Sequence, residues 1–310
     1  WHNTISIRKY LNIKSSDRSI TNMPWHYSYG MSIINSHISA GASILITNKS
    51  IVEKDFWSML QNAKVTNFNG VPYTYEILQK VGINRLKDLN LRFITQAGGK
   101  IENELCDEIT SFSKKNKIKF YVMYGQTEAS PRMSYVEKTT KKTQNNCIGK
   151  PIKGGKFFII KNNKLIKKNN IIGELCYKGK NIFSGYSNSF KDLSSKNKPI
   201  NLLKTGDIAK CDIDGNFYII GRKSRFIKIY GIRIGLDNIE NILREKGITA
   251  VAILKNDKLS IYTTNKINDE LKKHVSRIIK IRINDFNLKY CLKFPLNKNN
   301  KISYKDLSKI

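Results

Sequence analysis

The sequence predicts an α/β protein, with a parallel sheet and helices plus a β-barrel-like subdomain, followed by a small α+β C-terminal domain. Three observations carry this. From residue 43 to 125 strand-like runs alternate with helix-like ones, as in a parallel sheet with helical crossovers. From about Lys138 the pattern changes to short β-rich runs broken by Gly, Asn and Asp, which suits antiparallel ladders and tight turns. After Gly221 a compact α+β stretch follows. With 310 residues and 40% apolar content the chain exceeds what one core usually serves, so two domains are expected.

The elements follow in order. SILIT (43–47) is a strand, KDFWSMLQNA a helix, VTNFNG a strand, YTYEILQKVG a helix, LRFITQAGG a strand, ENELCDEITSFSKK a helix and KIKFYVMYG a strand. GKFFII, GELCYKG and DIAKCDIDGNFYII then read as antiparallel strands. In the last part RFIKIYG, AVAILK and KLSIYTT read as strands, IENILREKG and DELKKHVSRIIK as helices. The expected domains are therefore 1–222, with its α/β portion to about 137 and its β-rich subdomain over 138–222, and 223–310.

Composition narrows the function classes. No run of about 18 or more apolar residues occurs, so no membrane span is expected. The N-terminus WHNTISIRKY lacks a leader pattern, and the five cysteines form no C-x-x-C pair; both suit a soluble protein of the reducing cytoplasm. The net charge of +31 invites a nucleic-acid reading. Yet the lysines travel with Asn and Ile, as in KKNKIK and KNNKLIKKNN, rather than with Arg and aromatics on one face. They are read as solvated loops, with no specific nucleic-acid partner.

The stretch FYVMYGQTEAS (120–130) carries chemistry. A glycine at the end of a parallel strand lies where open α/β sheets bind ligands, and Gly125 would let a flat ring approach the backbone. Thr127 can donate to a phosphate oxygen, and Glu128 is a hard ligand for Mg²⁺. An exposed strand-end turn is the alternative. Upstream, TQAGGKIENEL repeats the plan: Gly98 and Gly99 close a strand and open a helix whose amides favour negative charge.

Together with GELCYKGKNIFSGY and LLKTGDIAKCDIDGNFYIIGRKSRFIKIYG, this stretch resembles the adenylate-forming superfamily of acyl-CoA synthetases, aryl-CoA ligases, luciferases and peptide-synthetase adenylation domains. The resemblance covers nearly the whole chain. It implies that Tyr124, Gly125, Gln126 and Thr127, with Gly98, Gly99 and Lys100, bind the nucleotide, and that Glu128 holds Mg²⁺. It also implies that Asp207 of the TGD motif takes the ribose hydroxyls, partnered by Arg222 of GRKSR. FPLNKNNKISYKDL resembles the family's C-terminal motif and places the mobile catalytic lysine at Lys301, alongside Thr127 and Glu128 as catalytic residues. Asn300, Ser303 and Tyr304 depart from that motif.

Further implications concern the substrates. ATP is a substrate, Mg²⁺ a cofactor, and CoA or the phosphopantetheine of an acyl or peptidyl carrier protein the acceptor. The hinge of the small domain falls at Ser224. Lys228 and Gly231 fall at the thiol tunnel, where an ordinary strand-to-turn glycine is the alternative for Gly231. NMPWHYSYGMSIINSHISAGA resembles the segment lining the acid pocket, with His26, Tyr27 and Tyr29 on one wall and Val71 and Pro72 of GVPYTY opposite. Amino-acid-activating members carry an aspartate in this region to pair with the substrate ammonium; none lies between Asn22 and Gly30. An unpaired ammonium there would be costly, so an uncharged acyl or aryl tail is expected. The family's phosphate-wrapping loop is missing, and His2-Asn3 resembles the residues just after it, so the chain is expected to be N-terminally incomplete. The activity implied is an AMP-forming acid:thiol ligase. An amino-acid-activating carrier ligase and a non-catalytic nucleotide- or carrier-binding remnant are the alternatives.

Overall fold

The computed structural model describes residues 1–139, 146–166, 168–187, 189–194, 200–230, 232–255, 258–297 and 302–310. They form two compact units, 1–205 with 210–219, and 206–209 with 220–310. Residues 206–209 and 220–222 therefore group with the C-terminal unit, whereas the sequence pattern places the boundary at 222/223.

The N-terminal unit opens with α1 (His2–Tyr10), β1 (Arg18–Ile20), α2 (Ser28–Ile38) and β2 (Ser43–Leu45). Then come α3 (Lys54–Asn62), β3 (Asn67–Gly70), α4 (Pro72–Val81), β4 (Phe93–Gln96), α5 (Asn103–Lys115) and β5 (Lys119–Gly125). Strands β3, β4 and β5 pair in parallel, as the alternation predicts. The β-rich part holds β6 (Arg132–Glu137), β7 (Cys147–Pro151), β8 (Lys156–Lys161), β9 (Lys164–Ile166), β10 (Gly173–Lys178), α6 (Phe190–Ser194), β11 (Leu203–Cys211) and β12 (Phe217–Arg222). Its strands join the same ladder, in the order β3-β4-β5-β6-β7-β12-β11-β10-β8-β9.

Period-two alternation assigns the two faces of the parallel strands. Phe120 and Val122 face a core built with α3, α4 and α5, including Phe56, Leu60, Tyr75 and Ile109. Phe93, Ala97, Tyr121 and Met123 face the other side, where they meet Ile7 of α1, Leu11 just after it, and Tyr29 and Ile33 of α2. The candidate acid pocket belongs to this second layer.

In the C-terminal unit β13 (Phe226–Ile229) and β14 (Ile232–Gly235) form a hairpin leading into α7 (Leu236–Arg244). Strands β15 (Ala250–Lys255), β16 (Lys258–Thr263) and β17 (Phe286–Tyr290) form a three-stranded sheet, with α8 (Asp269–Ile279) between the last two and α9 (Tyr304–Leu307) near the end. Ile239 and Leu243 pack with Ala252 and Leu259 on one face of the sheet. Leu307 is buried with Val251, Ile253 and Tyr262 on the other.

Candidate functional site

Tyr124 and Gly125 end β5, and the loop to β6 is tightly fastened. The Gln126 N–H donates to the Pro131 carbonyl at 2.9 Å, and the Ala129 N–H to Gln126 O at 2.9 Å. A Cβ on Gly125 would lie 1.9 Å from the Pro131 carbonyl oxygen. The returning backbone by itself requires this glycine. Gly98 is constrained by its own neighbours in the same way. Its φ of +88° favours glycine, and a Cβ there would lie 2.5 Å from the Tyr27 hydroxyl and 3.2 Å from Val71 Cγ1. A Cβ on Gly99 would lie 3.2 Å from Pro72 Cγ.

The structure therefore gathers Tyr27, Val71, Pro72, Gly98 and Gly99 around one strand end. His26 is exposed beside them in sequence, and Lys100 is exposed just past the glycines. Tyr29 differs from the expectation of a wall residue. It is 2% exposed, its hydroxyl lies 2.7 Å from Thr95 Oγ1, and its ring packs edge-on to Tyr27. It supports Tyr27 from behind, and burial raises the pKa of both phenols. The helix expected over ENELCDEITSFSKK runs from Asn103 to Lys115, past Gly98 and Gly99, with Glu102 at its cap and Glu104 in its first turn. Those acids already complement its dipole.

Thr127 Oγ1 lies 3.1 Å from Ser28 Oγ, tying the loop to the start of α2. Glu128 is half-buried; its carboxylate accepts from the Tyr186 hydroxyl, and its carbonyl accepts from Phe183 N–H at 2.9 Å. Asn181, buried, donates to Ala129 O at 2.5 Å and accepts from Tyr177 OH at 2.8 Å. Sequence reading missed Asn181 and Tyr186, although both lie in the quoted GELCYKGKNIFSGY segment. Nothing in its spacing marks which polar residue crosses to the loop.

In the C-terminal unit Asp207 and Arg222 form an ion pair at 3.2 Å, with Oδ1 on Nε. The carboxylate is only 9% exposed and the arginine side chain 66% exposed. The Arg222 N–H donates to Asp237 at 3.1 Å, and the Lys223 N–H to Gly206 O at 2.7 Å, which holds the turn. Ser224 is exposed in that turn, and Lys228 lies on β13. Gly231 and Lys301 lie outside the described residues. Among the described residues no group of three His, Cys, Asp or Glu side chains could hold a metal, and no helix is long and apolar enough to cross a membrane.

The chain belongs to the AMP-binding enzyme family, whose sequence model matches residues 2–187. It is 31% identical over 230 residues to bacitracin synthase 3 of Bacillus licheniformis, covering 72% of this chain and 4% of that protein. It is 26% identical over 247 residues to 2-succinylbenzoate–CoA ligase of Bacillus cytotoxicus, covering 78% of this chain and 49% of that protein. Among solved structures, the o-succinylbenzoate CoA synthetase of Bacillus subtilis with its acyl-adenylate intermediate superposes with a TM-score of 0.78 at 18% identity, over 99% of this chain and 63% of that one. That likeness establishes the fold of adenylate-forming enzymes. The chain spans less than two thirds of each of these proteins.

Proposed function

We propose that this chain carries the acid- and AMP-binding part of an ATP-dependent acid:thiol ligase. In that reaction a carboxylate oxygen attacks the α-phosphorus of ATP, pyrophosphate leaves, and the acyl group of the resulting acyl-AMP passes to CoA or to a carrier-protein phosphopantetheine. The observation that carries the reading is the Asp207–Arg222 pair. A recessed acid offers its oxygens to a diol, and an exposed guanidinium beside it suits phosphate. Tyr124, Gly125, Gln126 and Thr127 are assigned to the nucleotide, together with Gly98, Gly99 and Lys100. Tyr27, Val71 and Pro72 are assigned to the acid, with His26 at the pocket's edge. By their motif positions Lys301 is the adenylation lysine, Ser224 the hinge, and Lys228 and Gly231 the thiol tunnel.

Mg²⁺ fits the donors present, because it takes one or two carboxylates plus substrate phosphates, and Glu128 supplies one on the loop that carries Thr127. When bound, it neutralises phosphate charge. The unpaired state of all five cysteines supports a reducing, cytoplasmic setting. The missing acid between Asn22 and Gly30 favours this reading over amino-acid activation.

Titration calorimetry of the chain with AMP and an acyl-sulfamoyl-adenosine tests the proposal. Asp207→Ala should weaken both by about tenfold to a hundredfold, because it removes hydrogen bonds to a charged group. Asp214→Ala, on an exposed turn, should change neither. Undiminished binding by Asp207→Ala would sink the assignment.

A further inference from the structure

Arg132 opens β6, opposite Gly125 of the candidate nucleotide loop. It is 2% exposed. Its backbone is held firmly, with the carbonyl accepting from Asn3 Nδ2 at 2.6 Å and from Asn181 Nδ2 at 3.3 Å. Its guanidinium has weak company. Nη1 reaches Tyr10 OH at 3.0 Å and Met123 Sδ at 3.2 Å, and the group lies 5.0 Å from the centre of the Tyr29 ring. Both Nε and Nη2 are buried and have no hydrogen-bond partner among the described residues, and no described carboxylate is paired with Arg132.

An unpaired buried charge is expensive, and buried donors in folded proteins are nearly always satisfied. The two free donors are not scattered. Nε–H and Nη2–H lie along one edge of the guanidinium plane, the fork that matches the two oxygens of a carboxylate. Nη1, which the neutral partners occupy, is not part of that edge. Arg132 also lies in the layer of the candidate acid pocket. Tyr29 packs against Tyr27 and lies under Arg132, and Met123, Val71 and Ala97 belong to the same apolar cluster.

We infer that Arg132 is a specificity-determining residue that receives a second carboxylate on the tail of the acid, so that the substrate class is a dicarboxylic acid activated at one end. This rests on the acid-activation reading above and replaces the uncharged tail expected from sequence. On this reading the fork of Arg132 reads the distal charge of the acid. A monocarboxylic acid of equal length leaves the fork unpaired.

The test is calorimetric binding of two acyl-sulfamoyl-adenosines of matched length to the chain at physiological salt, one tail ending in methyl and the other in carboxylate. The salt screens the general positive charge of the surface. The carboxylate-tailed analogue should bind about tenfold tighter or more, the scale of a charge-assisted pair. Arg132→Met should remove that preference while keeping the affinity for the methyl-tailed analogue, and Arg132→Lys should restore only part of it. Equal affinities in the unmutated chain would overturn the role of Arg132 while leaving acid activation standing, and need no variant. A preference that survives in Arg132→Met would overturn it too. Failure of AMP and both analogues to bind would remove acid activation, and the inference with it.

Discussion

Arg225 in the C-terminal unit and Arg132 in the N-terminal unit are the same side chain drawn out of water, in opposite company. Arg225 pairs with Asp237 and, at 2.6 Å, with Glu240; it donates to Ala252 O at 2.8 Å and lies 4.2 Å from the centre of the Tyr304 ring. Both terminal nitrogens have acceptors and two carboxylates balance the charge, so this arginine is neutralised without a ligand. It fastens α7 to β15 and receives the ring at the start of α9. Arg132 has a thioether, a phenol and a ring face, with two donors left over. A buried charge satisfied from within the fold reads as architecture. One left unsatisfied on its bidentate edge reads as a place for a ligand.

The largest expected effect lies on the satisfied side. Glu240→Ala leaves Arg225 short of its more buried counter-charge and removes the acceptor of Ala252 N–H at 2.7 Å. It should cost about 3–5 kcal/mol, the scale of a broken buried ion pair. All three tryptophans lie in the N-terminal unit, so amide exchange in β15 and β16 is the appropriate readout. A loss below about 1 kcal/mol would erase the contrast between the two arginines.

Next is the effect of pH on the layer around Arg132. Burial holds His37 down to about 4, with the Arg132 charge adding to it. Its Nδ1–H donates to Ile33 O at 2.8 Å, and Nε2 accepts from Asn67 at 3.1 Å, so the ring is neutral. Its folded pKa lies below the unfolded value of about 6.5, so the unfolded chain takes the proton first as pH falls. This contribution is intact above about pH 6.5, is lost progressively towards pH 4, and totals about 3 kcal/mol. Urea titrations followed by Trp57 should show the slope, and His37→Gln should flatten it. Arg132→Met should raise the His37 pKa, read by NMR.

Smaller and opposite in sign is the stability effect of Arg132→Met without ligand. Removing an unsatisfied buried cation should leave stability unchanged or raise it by about 1 kcal/mol. A loss of more than about 2 kcal/mol would make Arg132 a structural residue like Arg225. The smallest effect belongs to Tyr304→Leu, which removes one ring from Arg225 and should cost about 0.5–1 kcal/mol by thermal unfolding.

Local chemistry made much of this protein legible from its residues alone. Alternation of strand and helix patterns marked the parallel strands β3, β4 and β5, and strand-end glycines marked the loops at Gly98 and Gly125. Turns and periodicity are legible because they depend on near neighbours in the chain, whereas Asp207 and Arg222 were marked only by the resemblance of their motifs to the adenylate-forming superfamily. Long-range placement was not legible. Only the fold shows that Gly125 is required by the Pro131 carbonyl, that Tyr29 stands behind Tyr27, and that Asn181 crosses to the loop. Among 55 basic residues no pattern singles out Arg132, whose backbone partner Asn3 is 129 residues away. Whether a charge is buried, and whether it finds an opposite, depends on contacts between distant segments, and those exist only once the chain has folded.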